Sequence, residues 1–153
     1  MSINDLKLDD RKKSGTGTIK AKINKDYVTD EYDGTPLYFL TDNEIVVLRA
    51  SYAKPQYGSF EIDLRFHANI KKGRHEFSTE HFPCPFSFSR RIGSGIKGYT
   101  SEKNAGFIDI EDFSIDKGTL KASFNFTFTD FDTDQVHQVH DGSIDVQGLE
   151  IVD

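Results

Sequence analysis

Thr119-Leu120-Lys121-Ala122-Ser123-Phe124-Asn125-Phe126-Thr127-Phe128-Thr129 is the stretch on which the fold turns. Leu120, Ala122, Phe124, Phe126 and Phe128 occupy alternate positions, and Lys121, Ser123, Asn125, Thr127 and Thr129 fill the gaps. A period of two places one set on each face of an extended strand, so the segment predicts a half-buried β-strand. Residues 58–68 repeat the pattern: Phe60, Ile62, Leu64 and Phe66 face one way, Glu61, Asp63, Arg65 and His67 the other. Thr16–Ile23 alternates more weakly, with Lys20 and Lys22 on its polar face. PLYFLT and EIVVLRASY, parted by Asp42-Asn43, predict a hairpin. Residues 24–35 carry turn-forming side chains and are expected to connect strands. Short strands near 75–79, 105–115 and 142–151 complete the set.

Composition agrees. Phe, Ile, Val and Tyr total 39 residues against 15 for Leu, Ala and Met, a ratio that favours strands over a helical bundle. No segment carries a helical stripe over three turns, and no apolar run approaches the roughly 20 residues of a membrane helix. At 153 residues the chain has the length of one domain. The expectation is a two-sheet antiparallel β-sandwich of about eight strands over residues 15–153, preceded by a polar arm at 1–14, with a partly closed β-barrel as the alternative.

The net charge of −6 is unevenly distributed: residues 1–100 sum to +3 and residues 101–153 to −9. A nucleic-acid surface gathers Lys and Arg, whereas here they are scattered in an acidic chain, so no nucleic-acid partner is expected. An acidic C-terminal third suits a protein partner with a basic surface. The single cysteine, Cys84, cannot close an intrachain disulfide, and the first residues lack the apolar core of a secretory signal. Together these predict a cytoplasmic protein.

Four motifs bear on chemistry. Gly93-Ser94-Gly95-Ile96-Lys97-Gly98 matches the G-x-G-x-x-G spacing, but no helix or βαβ unit surrounds it, so a glycine-rich loop between strands is expected. Asp130, Asp132, Asp134 and Asp141 fall near the alternate ligand positions of a calcium loop. His140 beside them extends the candidate metal set, although Gln135 replaces the usual turn glycine. His137 and His140 stand three apart, which on a strand sends them to opposite faces. Cys84, bracketed by Pro83 and Pro85 with His81 nearby, reads as a small buried residue rather than a nucleophile. No catalytic constellation emerges, so the protein is expected to be non-catalytic: a protein-interaction module that needs no cofactor, or else a small-ligand or calcium-binding module using the 130–141 loop.

Phe107-Ile108-Asp109-Ile110, then Gly118–Phe126, then the Gly-led strand Gly142-Ser143-Ile144-Asp145-Val146 resemble the closing part of uncharacterised bacterial β-sandwich families, some of them lipoproteins. The resemblance covers about a third of the chain. It implies a bacterial origin and a sandwich fold and carries no activity with it. The lipobox cysteine of the lipoprotein members is missing near the start.

Overall fold

The computed structural model describes residues 13–24, 27–77, 86–100 and 106–152. Among these residues every regular element is a strand: β1 (Thr16–Ile23), β2 (Glu31–Thr41), β3 (Ile45–Lys54), β4 (Gly58–His67), β5 (Gly73–Glu76), β6 (Ser87–Ile92), β7 (Gly95–Thr100), β8 (Gly106–Ser114), β9 (Thr119–Asp130), β10 (Gln135–Gln147) and β11 (Glu150–Ile151). The chain is all-β, as its alternation requires.

The expected pair of separate sheets does not form. Ten of these strands make one continuous sheet in the order β5-β8-β9-β10-β1-β2-β3-β4-β6-β7, and β11 pairs with β2. The sheet curls into a half-barrel, closer to the barrel alternative than to the sandwich. β2 is the reason. Its first half pairs with β1 (Ile19↔Gly34 to Lys22↔Glu31) and its second half with β3 (Thr35↔Ser51 to Thr41↔Val46). One long strand therefore belongs to both sides, and a bulge between Pro36 and Tyr38 bends it where it changes neighbour. Residues 31–35, expected as a turn, are strand because Tyr32 and Gly34 alternate inward.

Curling brings the two arms' inner faces together, and phenylalanine fills the space. Phe86, preceding β6, stacks on Phe124 and Phe126 of β9 at 4.7 and 5.0 Å between ring centroids. Phe88 of β6 stacks on Phe128 at 4.8 Å and on Phe60 of β4 at 6.0 Å. All of these rings are essentially inaccessible to solvent. Each fully buried ring contributes about 1.5–3 kcal/mol of hydrophobic stabilisation, and the stacked contacts fix how the arms meet. A smaller apolar cluster of Tyr38, Leu40 and Val47, with Val152 against it, lies apart from this core.

Residues 1–12 of the polar arm lie outside the described residues, as do Cys84 and His81. Ser14 is described and is tied to β2, donating its N–H to Leu37 O and accepting from Phe39 N–H.

Candidate functional site: two hairpin tips and the aromatic mouth

The β6–β7 hairpin is the glycine-rich motif. Ile92 pairs with Gly95, so Gly93 and Ser94 form a two-residue turn. Gly93 takes φ +56, the left-handed value such turns favour at their first position. Gly95 and Gly98 lie in β7 itself. The motif is hairpin chemistry, and among the described residues no helix opens behind it to meet a phosphate.

The β9–β10 hairpin carries most of the candidate metal set. Asp130 ends β9 and pairs with Gln135 at the start of β10, leaving Phe131-Asp132-Thr133-Asp134 as the turn. Asp130 holds that turn through its carboxylate, accepting from Asp132 N–H at 3.0 Å, and Asp134 adopts φ +57. His140 and Asp141 lie elsewhere, in a bulge five residues beyond Gln135, on the order of 17 Å along the strand. There Asp141 takes φ +51, its N–H donates to Asn125 Oδ1 at 3.2 Å, and its carboxylate meets His140 Nδ1 at 3.1 Å. The candidate ligands are thus split between a turn and a bulge. Among the described residues no group of three or more His, Cys, Asp or Glu side chains is placed to hold a metal ion.

The bulge also decides the histidines. His137 and Val139 face the interior, and after the extra residue Gly142, Ile144 and Val146 continue on that side. His137 is 1% exposed, whereas His140 is half-buried.

The two hairpins meet. Lys97 of β7 forms an ion pair with Asp132 in the β9–β10 turn, and this bond holds the lysine in its charged form above the usual range. Among the described residues, five large apolar side chains are exposed: Ile92, Ile96, Phe131, Val136 and Ile151. Four of them belong to these two hairpins. Phe131 is the extreme case at 76% exposure, set between Asp130 and Asp132. Period-two reasoning does not find it, because it lies in a turn. The signal available in the sequence was an aromatic between three aspartates.

Behind the tips, the interior ends in a partly polar mouth. Tyr27 packs edge-on against Phe60, Phe88 and Phe128, and its ring lies 4.9 Å from that of His137. Tyr27 Oη and His137 Nδ1 are buried with no hydrogen-bond partner among the described residues. Burial pushes the Tyr27 hydroxyl well above the ordinary tyrosine range, with Arg90 opposing in part. Tyr99 stacks on Phe128 at 5.2 Å and is likewise raised, by burial and then by Asp130. These rings pack on one another.

The outer face of β1, β10, β9 and β8 offers a different surface, an open trough of about 670 Å³ with Ser123 and Ser143 at its floor and Lys20, Lys121, Glu111 and Asp145 among its walls. The acidic C-terminal third does not form one acidic face here. Lys20 lies beside Ser143 and Thr18 beside Asp145, and Arg74 of β5 lies beside Asp109, 3.7 Å from its carboxylate. Strands from the first half of the chain, β1 with Lys20 and Lys22 and β5 with Arg74, flank the acidic block on either side.

Among the described residues no helix is long and apolar enough to cross a membrane. No protein-family model, no curated protein and no solved structure matches the chain.

Proposed function

We propose that this protein is a non-catalytic interaction module that engages a protein partner through the paired tips of the β6–β7 and β9–β10 hairpins. One observation carries the reading. Four of the five exposed large apolar side chains among the described residues sit on two hairpins that an ion pair draws together. Single exposed apolar residues are ordinary, whereas several on two adjoining hairpins favour a contact surface. Phe131, an exposed aromatic with two rotatable side-chain bonds, has the character of an interface anchor. Asp130 and Asp134 hold no ion pair among the described residues, which favours a partner carrying basic groups at its rim.

The test is paired capture from a native lysate with the full chain and with the Phe131→Asp/Ile96→Asp double variant. Both replaced side chains are exposed, so the variant keeps the parent's melting midpoint. Species retained by the parent are expected to be lost by the variant and to weaken as salt is raised. Equal retention by both proteins would remove the hairpin tips as the contact surface.

A further inference from the structure

We infer that the free edge of β7 receives an extended, basic and apolar segment of the partner as an added β-strand. The inference rests on the hairpin-tip reading and specifies how that surface is recognised.

β7 ends the sheet: β6 pairs with it on one side, and among the described residues no strand pairs on the other. The two-residue turn makes Ile92 and Gly95 a hydrogen-bonded pair, and antiparallel pairs alternate from there. Arg90↔Lys97 and Phe88↔Tyr99 are then bonded pairs, and Arg91↔Ile96 and Ser89↔Gly98 are the intervening ones. It follows that Gly95, Lys97 and Tyr99 direct their N–H and C=O groups at β6. Ile96 and Gly98 direct theirs outward. Residues 95–98 are all exposed, and this edge lacks the usual safeguards: it carries no proline, its pairing with β6 has no register shift, and its one lysine is bound to Asp132. β5, the opposite end of the sheet, is by contrast only four residues long.

An unpaired row of backbone groups binds an extended chain by strand addition, and flanking side chains select its sequence. Ile96 on β7, and Phe131 beside the Asp132 that binds Lys97, supply apolar contacts. Lys97 is held by Asp132, and Arg91 lies 3.9 Å from Glu61; among the described residues Asp134 forms no ion pair, nor does Asp130, whose carboxylate accepts from Asp132 N–H. The selected segment therefore alternates apolar residues with Lys or Arg.

A random library of peptides about 12 residues long, displayed on phage and selected on the immobilised full chain, provides the probe. Enriched sequences are expected to alternate apolar with basic residues, and their synthetic peptides to bind less tightly as salt rises. Gly98→Pro removes one outward N–H without touching the β6 ladder, and is expected to weaken binding by about tenfold or more. Gly98→Ala is expected to bind like the parent, because a Cβ there meets nothing within 4 Å. Amide hydrogen exchange of the unaltered chain supplies a second readout: peptide should newly protect Ile96 and Gly98, while Lys97 and Tyr99 are protected throughout. No enrichment, enrichment of acidic peptides, or peptides indifferent to Gly98→Pro that leave Ile96 and Gly98 unprotected would overturn the inference. If Phe131→Asp/Ile96→Asp still abolishes lysate capture in those cases, the hairpin-tip reading stands without strand addition. If it does not, both fall.

Discussion

His137 places an imidazole among Tyr27 and Phe128, where its Nδ1 finds no partner among the described residues. A buried polar atom without a hydrogen bond costs about 1–3 kcal/mol, and a phenyl ring of similar shape removes that cost. His137→Phe is therefore expected to hold or raise the thermal midpoint, by about 2–4 °C per kcal/mol recovered. A fall of several degrees would mean that the nitrogen has a stabilising role that its surroundings do not reveal. His137 also marks what was legible at this scale. Alternation along residues 119–129 and 58–68 identified Phe60, Phe66, Phe124, Phe126 and Phe128 as core, and each is buried. The odd separation of His137 and His140 sends them to opposite faces without saying which turns inward, and the buried one, His137, reads from the sequence as a surface residue. Asp141 and Asp134, both non-glycine residues at positive φ, are permitted there because short polar side chains tolerate the left-handed region. A pattern of carboxylates does not reveal that two of them serve backbone geometry, and the metal reading of Asp130, Asp132, Asp134, His140 and Asp141 drew on that same pattern.

Elements went astray where one strand has two sets of neighbours. β2 was legible as strand from Pro36 onward, but its first five residues are turn-formers by composition and become strand only because β1 lies beside them. Local propensity carries no information about that pairing. The same strand explains β11. Where β1 leaves the edge of β2, Glu150 and Ile151 take its place in parallel beside Leu40 and Thr41, and Val152 N–H donates to Thr41 O at 2.8 Å. Val152 also packs on Tyr38, Leu40 and Val47. Removing residues 150–153 is thus expected to cost about 1–3 kcal/mol, measured by urea denaturation. It should also promote self-association, since it uncovers both an apolar cluster and a strand edge. An unchanged midpoint and a monomeric shortened chain would contradict this account of β11.

At the scale of the whole molecule, topology rearranges the charge that composition described. The +3 and −9 portions of the chain interleave as β1 beside β10 and β5 beside β8, so the outer face alternates in sign. At the β9–β10 tip, Asp130 and Asp134 hold no ion pair among the described residues. Burial of tyrosine has a further global consequence. Tyr27 and Tyr32 are both held above the ordinary tyrosine range, chiefly by desolvation, with partial opposition from Arg90 and from the Ile62 backbone respectively. A raised folded-state value means that the folded chain keeps these protons after the unfolded chain has begun to lose them. Their contribution to stability is complete below about pH 10, the unfolded value, and is lost as pH rises above it. Denaturation midpoints followed from pH 8 to 12 should fall in the upper half of that range, with tyrosinate absorbance lagging until the chain unfolds. Full ionisation of all six tyrosines near pH 10 in a chain still folded would contradict the packing of the mouth.

The central claim is that the paired hairpin tips, and not the trough on the outer face, form the binding surface. Chemical-shift mapping of the isotopically labelled chain, titrated with a peptide from the selection or with a captured partner, tests it most directly. The account predicts that the perturbed amides centre on residues 95–98 and 130–136. Perturbations centred on Lys20, Lys121, Ser123 and Ser143, with the hairpin tips unmoved, would contradict it.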